Sequence, residues 1–162
     1  MGIVTVREYD DSFKEAVINL ILGIQRKEFG VPVTREGQPD LSAIPDFYQT
    51  GNGNFWVALH DGAVAGTVSL KDIGNGQGAL RKMFVGPAYR GAPYRTGQQL
   101  LDVLLEWARG RGVRDIYLGT TEKFLAAHRF YEKNGFAPFP KELLPENFPL
   151  MSVDTRFYRR CP

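Results

Sequence analysis

Between Leu80 and Gly119 the chain runs through a strand, a turn, a helix and a second strand, an order that leaves few folds open. An apolar run ends Leu80-Arg-Lys-Met-Phe-Val85, and a basic turn, Arg90-Gly-Ala-Pro-Tyr-Arg-Thr-Gly97, leads into a helix from Gln98 to about Arg109. The helix sets Leu100, Leu101, Leu104, Leu105 and Ala108 on one face, so it packs on a sheet, and Gly110 and Gly112 punctuate its end. Arg114-Asp-Ile-Tyr-Leu-Gly119 reads as a short strand arriving after a helical crossover, as a parallel neighbour does. The turn itself suits a pyrophosphate. Its glycines let backbone approach a ligand, successive N–H groups can point inward, and the helix N-terminus carries partial positive charge.

The rest of the chain fills in around this unit. Met1-Gly-Ile-Val-Thr-Val-Arg-Glu8 reads as a first strand. Ser12-x-x-Glu15 reads as a capping box before a helix with Phe13, Ala16, Val17, Leu20, Ile21 and Ile24 at helical spacing. From Phe29 to Asn54, prolines, glycines and acidic residues predict a mobile, irregular segment with one helical turn after Asp40. Strands Phe55–Leu59 and Val64–Leu70 flank His60-Asp-Gly-Ala63, a strong hairpin signal, and Gly74-Asn-Gly-Gln-Gly78 turns into the strand ending at Val85. A helix from about Lys123 to Asn134 precedes strand-like stretches from Phe136 and over Met151–Tyr158. The order β-α-β-β-β-α-β-α-β-β defines an α+β class. The 162 residues suit one domain over 1–162, without repeats or an internal linker.

Composition narrows the function by exclusion. With 43% hydrophobic and 23% charged residues and no long apolar run, the sequence offers no membrane span and no secretory signal, so the cytoplasm is the expected compartment. Twenty basic against 18 acidic residues give a net charge of +2, with no global pull toward nucleic acid. The arginine clusters at Arg109, Arg111 and Arg114 and at Arg156, Arg159 and Arg160 read as solvated helix end and strand edge. One cysteine, Cys161, and two histidines leave no disulfide and no metal site. The last strands offer an edge at which a second copy can pair, making a homodimer.

A second landmark is Ala126-Ala-His-Arg-Phe-Tyr-Glu-Lys-Asn-Gly-Phe136. Together with Met83-Phe-Val85 and the turn that follows, it resembles the GNAT superfamily of acyl-CoA-dependent N-acetyltransferases, across nearly the whole chain. The resemblance implies a mixed, mostly antiparallel sheet of six to seven strands with helices on both faces. It also implies that coenzyme A lies where the fourth and fifth strands splay apart, here the Ala79–Val85 and Arg114–Gly119 strands. Two departures stand out. The family's phosphate turn, Gln or Arg, two residues, Gly, one residue, Gly or Ala, aligns on Gly97 only by setting Arg95 at the middle glycine. A register opening on Arg90-Gly91 treats the middle as a remodelled loop, in which Pro93 removes a donor. Phe124 stands where the family often has an asparagine that contacts the cofactor arm.

The implied reaction is transfer of an acetyl group from acetyl-CoA to a primary amine of a small molecule, amino acid or peptide; the alternative is a non-catalytic acyl-CoA sensor with the same fold. Cofactor-binding residues are then Met83, Phe84 and Val85, whose backbone would pair with the pantetheine arm, and Arg90, Gly91, Ala92, Arg95, Thr96, Gly97 and Gln98 around the pyrophosphate. Tyr131 is the general acid, because a phenol with a pKa of about 10 stays protonated at neutral pH. His128, one turn earlier, is more often a structural residue in such a place. A base for the acceptor ammonium is open among Glu28, Glu36, Asp46, Asp72 and Glu122. With Asp40, several of these fall in the irregular segment, an acidic excess that suits a cationic acceptor. Phe47, Tyr48, Phe55 and Trp56 are candidate pocket walls, although core is their commoner use.

Overall fold

The computed structural model describes residues 3–28, 30, 32–122 and 124–162. Its strands are β1 (Thr5–Glu8), β2 (Asn54–His60), β3 (Ala63–Gly74), β4 (Gln77–Val85), β5 (Asp115–Thr120), β6 (Ala137–Pro138) and β7 (Arg156–Arg160). Its helices are α1 (Lys14–Lys27), α2 (Ile44–Phe47), α3 (Thr96–Gly110) and α4 (Leu125–Lys133). The strands form one seven-stranded sheet in the order β1-β2-β3-β4-β5-β7-β6, antiparallel throughout except for β4 and β5.

Turn chemistry fixes the meander. Asp61 and Gly62 take φ of 50° and 82° between β2 and β3, and Asn75 and Gly76 take 57° and 71° between β3 and β4. Both pairs have the left-handed backbone that two-residue hairpins require. Alternation along β2 then divides the core. Trp56 and Ala58 pack with α3 leucines on one face, while Phe55 and Val57 pack with Val17, Ile18 and Ile21 of α1 on the other. Burying Leu100, Leu101, Leu104 and Leu105 contributes about 1.5–3 kcal/mol for each side chain. A third cluster, Ile73, Ala79, Tyr117, Phe148 and Phe157, sits beneath the β6–β7 connection.

Several boundaries differ from the sequence expectation. Ser12 does not cap α1. Its backbone and hydroxyl both donate to Asp10, which caps a 3-10 turn over Asp11–Phe13, and Ala16 is exposed while Ile18 and Leu22 are buried. Met1 and Gly2 of the first strand, Phe29 and Val31 of the irregular segment, and Lys123 at the expected start of α4 lie outside the described residues. The irregular segment contains a 3-10 turn, Pro39–Ser42, and α2, and is pinned by buried Leu41, Ile44 and Tyr48. α3 starts at Thr96 rather than Gln98. Met151–Thr155 is not strand: Asp154 N–H closes a turn on Met151 O (3.1 Å), and pairing begins at Arg156. β6 is only two residues long, as Pro138 and Pro140 supply no N–H to the ladder.

Candidate active site

The sheet opens at its centre. β4 and β5 pair only through Gln77–Ala79 with Asp115–Tyr117; beyond that β5 keeps only its pairing with β7, which runs from Ile116 to Thr120, while β4 continues along β3. A bulge shapes the β4 side of the gap. Lys82 has φ of 55°, the β3–β4 register shifts there, and Ser69 and Thr67 hydroxyls donate to the Arg81 and Lys82 carbonyls, each at 2.7 Å. Beyond it, Gly86 N–H donates to Ala65 O at 2.8 Å, which sets the phase of the ladder. Phe84 is therefore turned toward Thr67 of β3, and the backbone groups of Met83 and Val85 face the open side.

The turn after β4 closes on itself. Arg95 N–H donates to Gly91 O (2.8 Å), with Gly91 at φ 68° and Arg95 at φ 52°, and the Ala92–Pro93 peptide is cis. Arg95 is the N-cap of α3 and gives it no side-chain cap, so the first N–H groups of the helix, about Gly97 and Gln98, have no capping partner among the described residues. Gly97 borders the gap: a Cβ there would lie 3.5 Å from Met83 Cε and 3.7 Å from Phe130 Cζ and Val85 Cγ2. The side chains of the turn divide their work. Arg90 donates to Val85 O (2.9 Å) and forms a bidentate pair with Glu28 (2.7 and 2.8 Å), stapling the turn to the end of α1. Gln98 bridges Asp102 and Asn134, tying α3 to α4. Thr96 Oγ1 is buried without a hydrogen-bond partner among the described residues, and Ala92 and Arg95 are exposed. The fold thus gathers Met83, Val85, Gly97 and Gln98 at one opening, whereas Phe84 turns its ring into the α1 cluster.

Tyr131 packs among Phe130, Phe136 and Tyr158, with ring centroids 5.6, 5.6 and 6.2 Å away. Burial, and next the charge of Asp154, hold its phenol above the usual value, so it stays protonated. His128 is structural: Nε2 donates to Thr121 O (2.6 Å) and Nδ1 accepts from Arg156 (3.3 Å). Across the gap, on the face of β5 that carries Tyr117, the carboxylate of Asp154 lies against Gly119, where a Cβ would meet Oδ2 at 2.5 Å. Burial pushes its carboxyl up to about 6, although the charge of Arg81 pulls it down. Asp154 also lines an open cleft of about 500 Å³ with Phe139, Lys141, Glu142 and Arg156.

None of the acids named from sequence holds a comparable position. Glu28 is paired with Arg90, Asp72 caps the backbone of Asn52 (2.9 Å) and Gly74 (2.8 Å), and Glu36, Asp46 and Glu122 are exposed. Asp40 is buried, accepting from Tyr48 (2.6 Å) and pairing with Lys82 at 3.6 Å. Of the acidic cluster, Glu28 and Asp40 are thus spent on Arg90 and Lys82, while Glu36 and Asp46 remain exposed, and the cations Lys71 and Arg81 stand over the Phe47 ring beside them. Phe47 and Tyr48 stack beneath Arg81, while Phe55 and Trp56 are core. Asp154 and Arg81 escaped sequence reasoning because each falls in a strand-like run in which a charged residue reads as one solvated position of the alternation.

This geometry agrees with comparisons to known proteins. The model of the acetyltransferase (GNAT) family matches residues 18–136, and the chain belongs to that family. A solved GNAT-family acetyltransferase from Staphylococcus aureus Mu50 is 39% identical and superposes with a TM-score of 0.92 over 98% of each chain. N-acetylaspartate synthetase of Xenopus tropicalis is 38% identical over 101 residues, which are 60% of this chain and 36% of that protein. The chain spans about half or less of the length of the curated relatives it matches. PaiA N-acetyltransferase of Thermoplasma acidophilum, solved with coenzyme A, shares the fold at 16% identity and a TM-score of 0.76, over 98% of this chain and 99% of that one. Among the described residues, no helix is long and apolar enough to cross a membrane.

Proposed function

We propose that the protein transfers an acetyl group from acetyl-CoA to a primary amine of a small molecule, an amino acid or a peptide. One observation carries the reading: the β4–β5 pairing ends at Ala79 and Tyr117, and the gap it opens lies beside an uncapped helix N-terminus. The residues present fit coenzyme A. Free N–H groups at Gly97 and Gln98, with the exposed Arg95, suit a pyrophosphate. The backbone of Met83 and the N–H of Val85, turned to the open side, suit an amide-bearing arm. Gly97 leaves room between Met83, Val85 and Phe130 for that arm to enter. The PaiA relative's bound coenzyme supports the same assignment.

Acetyl-CoA supplies an activated thioester. The chain's own residues would orient it and move protons. A backbone N–H of the Met83–Val85 stretch donates to the thioester oxygen as negative charge develops. The acceptor ammonium gives up one proton before attack, its lone pair forms the C–N bond, and the C–S bond breaks. Tyr131 passes its hydroxyl proton to the departing sulfur and recovers one from the new amide nitrogen, so one proton in total is released to solvent.

The test is a thermal shift with acetyl-CoA followed by thiol release across a panel of amines. Saturating ligand is expected to raise the melting temperature, since it binds the native state. No shift overturns the proposal. A shift without turnover on any amine is the result for an acyl-CoA sensor.

A further inference from the structure

Arg81 carries an unspent positive charge. It is half-buried, its guanidinium is 5.7 Å from the Phe47 ring centroid and 6.0 Å from that of Tyr48, and it makes no ion pair among the described residues. The hydrogen bond its side chain makes there is to a thioether, Met151 Sδ, at 3.8 Å. A guanidinium offers five donors in a planar fork shaped for a carboxylate, and the two rings fix the direction of that fork. Its neighbour Lys82 has no comparable freedom, being bound to Gln38 (2.7 Å) and Asp40 (3.6 Å).

Asp154 sits near Arg81 at the open end of the β4–β5 gap: the Arg81 side chain donates to Met151 Sδ (3.8 Å), and Met151 O accepts from Asp154 N–H (3.1 Å) in the turn that leads into β7. The charge of Arg81 acts on the Asp154 carboxyl, yet the two form no ion pair among the described residues. A cation and an anion held apart are complementary to a zwitterion. We propose, resting on the transferase reading above, that the acceptor is an amine bearing a carboxylate, with the carboxylate on the Arg81 guanidinium and the ammonium against Asp154. Asp154 takes the proton that the ammonium must lose, which leaves a neutral amine to attack and a protonated carboxyl. The open cleft beside Phe139 and Arg156 then lets water carry that proton away. The charged and titratable groups around Asp154 are Arg81 on β4, Tyr131 on α4, and Lys141, Glu142 and Arg156 along the cleft.

Matched acceptors test this with the full chain: an amino acid, its carboxamide and its decarboxylated amine, at fixed saturating acetyl-CoA. The acid is expected to react with kcat/KM about 10-fold or more above the other two. Arg81→Gln is expected to erase that preference by raising KM for the acid alone, with Arg81→Lys intermediate. Asp154→Asn is expected to lower kcat for every acceptor and to remove the acid limb of the pH profile. An unaltered acetyl-CoA thermal shift certifies that each variant is folded. Equal turnover of the acid and its carboxamide by the wild type, or an equal loss on both in Arg81→Gln, overturns the inference and leaves the transferase reading standing. No turnover of any amine, with the thermal shift intact, overturns both.

Discussion

Burial raises the pKa of both Tyr131 and Asp154, and the two shifts have opposite uses. A phenol held above its usual value stays a donor at every working pH, so Tyr131→Phe is expected to cut kcat by about 100-fold or more. The acetyl-CoA thermal shift should persist in that variant, and undiminished turnover would remove Tyr131 as the acid. A carboxyl at about 6 still ionises in the neutral range but holds a proton more tightly folded than unfolded, where 3.8 is usual. Its contribution to stability is present in full below 3.8 and lost as pH rises through about 6. Asp154→Asn, which cannot ionise, is therefore expected to melt at or above the wild-type temperature at pH 8. Any such advantage disappears near pH 4, and the reverse trend in melting curves would mean that folding favours the carboxylate. The helix that carries Tyr131 was legible in the sequence, and it was the resemblance of its motif to the GNAT pattern that singled out the tyrosine. Asp154 was not, since its role arises from a turn at Met151 and from the missing side chain of Gly119, neither of which alternation reveals.

At the scale of elements, the start of α3 and the bulge of β4 each carry one requirement. Gly97→Val puts branches beyond a Cβ already 3.5 Å from Met83 Cε, at the surface of the molecule's gap rather than in its core. Acetyl-CoA binding is expected to fall about 10-fold or more with a melting temperature within a few degrees of wild type, as read by titration and thermal melt. Unchanged affinity would place the cofactor elsewhere. Beside the bulge, Asp40→Ala strands the buried ammonium of Lys82 and frees the Tyr48 hydroxyl, so denaturant unfolding should report a loss of about 3 kcal/mol. These elements were unequally legible. Asp-Gly and Asn-Gly turns announced both hairpins, and the leucine stripe announced α3. The Arg81–Lys82 bulge left no mark, because it is held by Thr67 and Ser69 from the neighbouring strand. The Ser12 capping box failed because Asp10 competes for the same N–H at shorter range.

For the molecule as a whole, function follows from where one sheet stops being a sheet. Two parallel strands joined by a helical crossover begin in register at Gln77 and Asp115 and part three residues later. β5 stays with β7, its antiparallel partner from Ile116 to Thr120, and the backbone of β4 is left with groups to satisfy. The three-stranded meander and the parallel neighbour after the crossover were readable from hydrophobic periodicity and turns. The divergence was expected only from the GNAT resemblance, since periodicity does not carry it: it depends on β7 returning from the far end of the chain to lie beside β5. The most direct test is mass spectrometry of amines incubated with acetyl-CoA and the purified chain, with thiol release followed in parallel. The expected result is an acetylated amine formed one-for-one with free thiol, and nearly none with Tyr131→Phe. Acetyl-CoA bound and left intact beside every amine, or equal product from Tyr131→Phe, would contradict it.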